Sequence, residues 1–146
     1  MKTAIVYFSR HHGNTKKLLD AIAAADPSVC LIDVTEQPDA DLSAFERIGL
    51  ASGIYFSSFA KPLIAFAEAH LPENREVFYL YTHGAPAGGF LKGIRRAAAG
   101  KGCREIGVYH CPGFDTVGPL RLIGGIAKGH PTAKEIAGAV DFYRSL

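Results

Sequence analysis

The sequence predicts a doubly wound α/β domain in which helices cover both faces of a five-stranded parallel sheet. Five short runs are rich in β-branched or aromatic residues and are apolar on both alternating faces, which is typical of strands buried on both sides. Segments with helical spacing of apolar residues lie between these runs. Right-handed crossovers would place these helices on the two sides of the sheet. The expected strand order is 2-1-3-4-5.

The predicted strands are Thr3–Phe8, Val29–Val34, Ile48–Ser52, Val77–Thr82 and Glu105–Cys111. The carboxyl ends of parallel strands meet at one edge of a sheet, and ligands of such folds bind there, beside the switch between the first and third strands. The residues that directly follow the first, third and fourth strands are therefore the candidate site.

Four helices are predicted from the 3.6-residue spacing of apolar side chains. They are Lys16–Ala25, Pro62–His70, Gly89–Gly100 and Thr132–Leu146. The last one opens with a capping box formed by Thr132 and Glu135. The connection Thr35–Arg47 is too short and broken for a long helix, so we expect a turn or two around Leu42–Phe45.

The bulk composition is that of an ordinary globular domain. The 146 residues fit one domain spanning residues 1–146, with 48% hydrophobic and 21% charged residues. No apolar run approaches the roughly 20 residues of a membrane span. The N-terminus leads into a strand rather than a signal peptide, so a cytoplasmic location is expected. A net charge of +2 is too small to indicate nucleic-acid binding.

The cysteines do not indicate a disulfide framework or a metal centre. Cys30, Cys103 and Cys111 give an odd count and no CxxC pair. Buried thiols are the favoured interpretation.

The segment after the first strand has the features of a phosphate-binding loop. It comprises Ser9, Arg10, His11, His12, Gly13, Asn14 and Thr15 and opens the first helix. A helix N-terminus offers unpaired N–H groups and partial positive charge, Gly13 allows close approach of the backbone, and the hydroxyl and amide side chains add donors. The Walker and GxGxxG patterns are absent, which argues against a nucleoside triphosphatase and a dinucleotide site. An ordinary capped strand-to-helix turn is the alternative.

The adjacent histidines of this loop could be metal ligands. No further histidine, cysteine or acidic residue lies at a ligand spacing near His11 and His12, so metal binding is not favoured. Hydrogen bonding and charge tuning are more usual roles for such a pair.

Two further loops suit a planar ring. After the third strand come Ser52, Gly53, Ile54, Tyr55 and Phe56, and after the fourth strand come Thr82, His83 and Gly84. Aromatic faces and backbone donors at adjacent strand ends could clamp an aromatic ligand between them. Alternatively, the aromatic side chains cover the core. Together with the phosphate loop, these segments predict a phosphorylated planar ligand.

The segment Tyr7–Thr15 resembles the FMN phosphate loop of flavodoxins, whose core is a hydroxyl residue followed by a turn like Gly13-Asn14-Thr15. The match departs in two respects: Ser9 stands one residue further from Gly13 than in the commonest flavodoxin loop, and His12 replaces the usual small hydroxyl residue. The tail from Cys111 to Pro131 is similar to a subgroup of short flavodoxin-like proteins. The resemblance implies FMN as the cofactor and adds Phe114 to the cofactor-binding residues.

The resemblance implies a one- or two-electron carrier whose partners are redox proteins. The alternative is an FMN-dependent NAD(P)H oxidoreductase acting on quinones or similar small acceptors. A receiver domain with the same strand order is disfavoured, because the carboxylates that it needs after the first and third strands are missing. Carriers of the flavodoxin family are typically acidic, whereas the sequence pI here is about 8.5, which indicates an acidic partner or a dedicated enzyme.

Overall fold

The computed structural model describes residues 1–10, 13–85, 87–114 and 125–146. In these ranges the strands are β1 (Thr3–Phe8), β2 (Cys30–Asp33), β3 (Arg47–Tyr55), β4 (Ser58–Phe59), β5 (Glu76–His83) and β6 (Arg104–Pro112). The helices are α1 (Asn14–Ala25), α2 (Lys61–His70), α3 (Lys92–Gly100) and α4 (Ala133–Ser145). Strands and helices alternate as predicted, with β4 added.

The main sheet is parallel and has the order β2-β1-β3-β5-β6. Once β4 is set aside, this is the predicted order 2-1-3-4-5, so the doubly wound flavodoxin-like α/β fold is confirmed. The first strand pairs on both sides, with β2 and with β3. The topological switch point beside β1 and β3 therefore lies where we predicted it from the sequence.

Alternate residues of β1 belong to two separate apolar layers. Val6 packs in the layer that includes Leu63 of α2, whereas Ile5 packs in the layer that includes Leu18 of α1. Helices α2 and α3 contact each other on one face of the sheet, and α1 and α4 contact each other on the opposite face. Every residue of β1 is buried, which explains its lack of polar alternation.

The third strand is longer than predicted and ends in a hairpin. Residues 54 and 55 of β3 pair antiparallel with β4. The turn consists of Phe56 and Ser57, whose φ angles of 50° and 62° lie in the left-handed region. The loop expected after Ser52 is therefore largely a strand and a tight turn.

The connection between β2 and β3 contains turns rather than a helix. The N–H of Phe45 donates to the carbonyl of Leu42 at 3.0 Å, which confirms the expected turn. The capping box of α4 is also present, because Thr132 Oγ1 accepts from the N–H of Glu135 and Glu135 Oε1 accepts from the N–H of Thr132. No helix in the described ranges is long and apolar enough to cross a membrane.

Candidate functional site

The strand ends meet as the topology requires. Phe8 at the end of β1 is in register with Ser52 of β3, and Gly53 is in register with Thr82 of β5. The loop after β1, the end of β3, the end of β5 and the segment after β6 thus lie at one edge of the sheet. The candidate site is built from these four segments.

The loop after β1 forms a capped helix start. Gly13 adopts a left-handed φ of 66° as the N-cap of α1, a conformation that glycine adopts without a Cβ penalty. Ser9 Oγ accepts a hydrogen bond from the N–H of Lys16 at 3.2 Å. Ser9 therefore acts as a cap for a helical N–H group. The first N–H groups of a helix lack intrahelical acceptors, so this end of α1 can bind an anion.

Asn14 connects the helix start to the segment after β6. Its Nδ2 donates to the carbonyl oxygen of Phe114 at 2.8 Å. A Cβ on Gly113 would lie only 2.8 Å from the same Nδ2, so Gly113 permits this close packing. The Oδ1 atom of Asn14 is buried and has no hydrogen-bond partner within the described part of the chain. A buried amide oxygen in that state is an acceptor for a ligand hydroxyl.

The end of β3 contacts the loop after β1 through Tyr55. The backbone N–H of Arg10 donates to Tyr55 Oη at 3.1 Å, and the Tyr55 ring meets the Phe8 ring edge-on with centroids 5.4 Å apart. A Cβ on Gly53 would lie 3.1 Å from Tyr55 Oη. Gly53 itself lies in β3, and the residues with positive φ in this region are Phe56 and Ser57.

At the end of β5, His83 is buried and faces β6. Its Nε2 lies 3.2 Å from Nδ1 of His110, and the His110 ring stacks on Tyr81 with centroids 4.9 Å apart. Burial lowers the pKa of His83 below its usual value, and His110 lowers it further. His83 is therefore a neutral imidazole near pH 7 and can both donate and accept a hydrogen bond.

One pocket brings most of the predicted residues together. All of its lining residues except Gly113 were predicted from the sequence. They are Arg10, Asn14, Gly53, Ile54, Tyr55, Thr82, His83, Gly84, Gly113 and Phe114. The cavity volume is about 20 Å³. A planar ring needs more room than this, so the lining residues would have to move apart to admit one.

Five other predicted residues do not line this pocket: Ser9, Gly13, Thr15, Ser52 and Phe56. The Ser52 side chain is fully buried, where its Oγ donates to the carbonyl of Gly53 at 2.5 Å and accepts from the N–H of Ala60 at 3.0 Å. Its role is to close the base of the β3–β4 hairpin. Phe56 is 98% exposed at the hairpin tip. The predicted residues His11 and His12 lie outside the described residues.

Sequence reasoning did not single out Gly113 or His110. Gly113 follows β6 and packs on Asn14, and His110 precedes the end of β6 and contacts His83. The available signal was the position of both residues at the carboxyl end of the last predicted strand, where the fold places ligands.

A model of the flavodoxin domain family matches residues 4–83, from the second residue of β1 to the end of β5. The chain belongs to the flavodoxin domain family. An uncharacterised protein from Methanocaldococcus jannaschii is 34% identical over 149 residues, covering all of this chain and 98% of that protein. The similarity to this relative thus extends along the whole chain.

Solved structures share the fold at low sequence identity. A variant flavodoxin of Fusobacterium nucleatum, bound to flavin mononucleotide, has a TM-score of 0.66 and 15% identity, with 99% of this chain and 96% of that chain covered. An NADPH-quinone reductase of P. pentosaceus has a TM-score of 0.63 and 13% identity, with 97% of each chain covered. Both resemble this flavodoxin-family chain in fold alone.

Proposed function

We propose that this protein binds FMN at the carboxyl edge of its sheet and serves as an electron carrier for redox partner proteins. The observation that supports the proposal best is the convergence of four segments on one pocket. The N-terminus of α1 lies beside it, and its lining includes Asn14, whose buried Oδ1 has no hydrogen-bond partner in the described ranges. FMN combines a phosphate, a chain of hydroxyls and a planar ring. Each of these groups has a chemical counterpart in the pocket or its border.

Different parts of the candidate site suit the phosphate, the ribityl chain and the ring of FMN. The start of α1, with Gly13 and the N–H groups that follow it, suits the phosphate. Asn14 Oδ1 would accept from a ribityl hydroxyl, since it is buried without another partner in the described ranges. The strand ends at Gly53–Tyr55 and Thr82–Gly84 would border the ring. Bound FMN would supply one- or two-electron chemistry, while the protein holds it and limits access.

The alternative is an FMN-dependent NAD(P)H oxidoreductase acting on quinones or similar small acceptors. One observation favours it over a simple carrier: the chain carries a net charge of +2, unlike the typically acidic carriers. The domain, spanning residues 1–146, would then take hydride at an exposed ring. We propose a cytoplasmic location for either activity.

A visible spectrum tests the cofactor, and anaerobic mixing with NADPH separates the two activities. The protein is first loaded with FMN and freed of excess by gel filtration. Retention of flavin absorbance supports the proposal, and its loss contradicts it. With the loaded protein, bleaching by NADPH within seconds would establish the oxidoreductase, whereas bleaching only after addition of a flavodoxin reductase would establish the carrier.

A further inference from the structure

A second cavity lies beside the proposed FMN pocket, between the β3–β4 hairpin and the start of α2. We name it the hairpin groove, and its volume is about 450 Å³. Its floor is apolar and includes Phe8, Phe59 and Ala60, all of which are buried. Tyr55 and Phe56 form the wall on the side of the hairpin. A volume of this size is within the range of small-molecule sites, and an aromatic floor suits a planar ring.

The rim of the hairpin groove is cationic. Arg10 and Lys61 line it, both side chains are exposed, and no Asp or Glu is among the lining residues. The guanidinium of Arg10 lies 5.1 Å from the centre of the Phe8 ring, so the charge is held above the floor. Neither cation takes part in an ion pair with any residue in the described ranges. The groove therefore has uncompensated positive charge at an apolar surface.

The groove and the proposed FMN pocket share a wall. Arg10 and Tyr55 line both cavities, and the bond from the Arg10 N–H to Tyr55 Oη joins the two sides of that wall. A ligand in the groove would be separated from the pocket by one aromatic side chain.

We propose that the hairpin groove binds a planar aromatic acid, with its ring against the apolar lining and its carboxylate or sulfonate near Arg10 and Lys61. The cavity has the size of a small-molecule site, which favours such a ligand over a protein partner. Binding itself does not need FMN. That such an acid accepts electrons rests on the oxidoreductase given above as the alternative in the proposed function. A quinone acid would take two electrons from reduced FMN and two protons from water to give the hydroquinone.

The probe for the test is anthraquinone-2-sulfonate, titrated calorimetrically into the full chain with and without saturating FMN. We expect 1:1 binding that persists with FMN and weakens as salt is raised. The neutral 2-(hydroxymethyl)anthraquinone should bind about three- to tenfold more weakly. Equal binding of the two compounds, absence of binding, or displacement of the probe by FMN would overturn the proposal.

Two variants locate the site, and a third serves as the control. Lys61→Gln should weaken binding of the sulfonate about three- to tenfold, and Phe56→Ser, at an exposed position that folding does not require, should also weaken it. Lys134→Gln is the matched control, because Lys134 is likewise an exposed lysine in the first turn of a helix. Equal effects of Lys61→Gln and Lys134→Gln would contradict the site. If the unmodified protein binds the probe but does not bind FMN, the proposed function is refuted and the groove site still stands.

Discussion

The hydroxyl groups of Thr15 and Thr82 lie 2.9 Å apart, and both side chains are buried. This hydrogen bond joins the first turn of α1 to the end of β5 across 67 residues of sequence. It fixes the helix that would bind the phosphate against the strand that would border the ring. The Thr15 hydroxyl was predicted to bind phosphate, and its contact in the structure is instead with Thr82. A direct role toward a ligand stays a prediction.

A double-mutant cycle measures this link. Thr15→Val and Thr82→Val each remove one hydroxyl at nearly constant volume and leave the other without its partner, so each should lower the free energy of unfolding by about 1–3 kcal/mol. The double variant should cost less than the sum of the two, because both buried hydroxyls are then gone. Urea unfolding of the four proteins gives the coupling energy. Strict additivity would show that the two hydroxyls do not interact in solution.

Asn14→Asp should weaken FMN binding by at least about tenfold and affect riboflavin much less. The aspartate loses the Nδ2 donor that holds the Phe114 carbonyl, and it places a negative charge beside the proposed phosphate site. Fluorescence quenching titrations with both flavins provide the measurement. A matched loss of affinity for FMN and riboflavin would indicate that Asn14 acts on the pocket shape alone.

Gly53→Ala should destabilise the protein through Tyr55. The added Cβ would lie 3.1 Å from Tyr55 Oη, so the hydroxyl must shift and its bond with the Arg10 N–H weakens. A cost of about 1 kcal/mol in the free energy of unfolding is expected. In a Tyr55→Phe background the hydroxyl is absent, and the same substitution should cost less. An equal cost in both backgrounds would show that the strain arises elsewhere in β3.

Stability should fall as the pH is lowered through and below about 6.5, the ordinary pKa of histidine. The folded-state pKa of His83 is depressed by burial and by His110, with an opposing contribution from Glu135. The unfolded chain therefore binds more protons in this pH range, so stability is complete above the unfolded pKa and is lost towards the folded one. His83→Gln should flatten this part of the curve measured by urea unfolding. An unchanged slope in the variant would mean that other groups account for it.

The sheet could be predicted from the sequence because its strands are buried on both faces. Strands such as β1 have no polar alternation, and that pattern distinguishes them from helices and surface strands. The phosphate loop was recognisable for a local reason, since the features of Gly13-Asn14-Thr15 lie next to one another along the chain. Eight of the ten residues that line the pocket followed from the order of strands and this loop, and Phe114 followed from the family resemblance.

The hairpin after β3 could not be predicted in the same way. Phe56 and Ser57 adopt positive φ, although neither residue type favours that region. Glycine does favour it, but the glycine of this segment stands at position 53, outside the turn. The turn is supported by long-range contacts, including the bond from the Ala60 N–H to Ser52 Oγ, that no local pattern contains. The contact of His83 with His110 likewise depends on the register of β5 and β6.

A comparison of FMN with riboflavin tests whether the start of α1 binds the phosphate of FMN. Both flavins are titrated into the protein in the same buffer, and the quenching of flavin fluorescence gives each dissociation constant. We expect FMN to bind at least about tenfold more tightly than riboflavin, since charge-assisted hydrogen bonds contribute about 1.5–3 kcal/mol each. Equal dissociation constants for the two flavins would show that the start of α1 does not bind the phosphate.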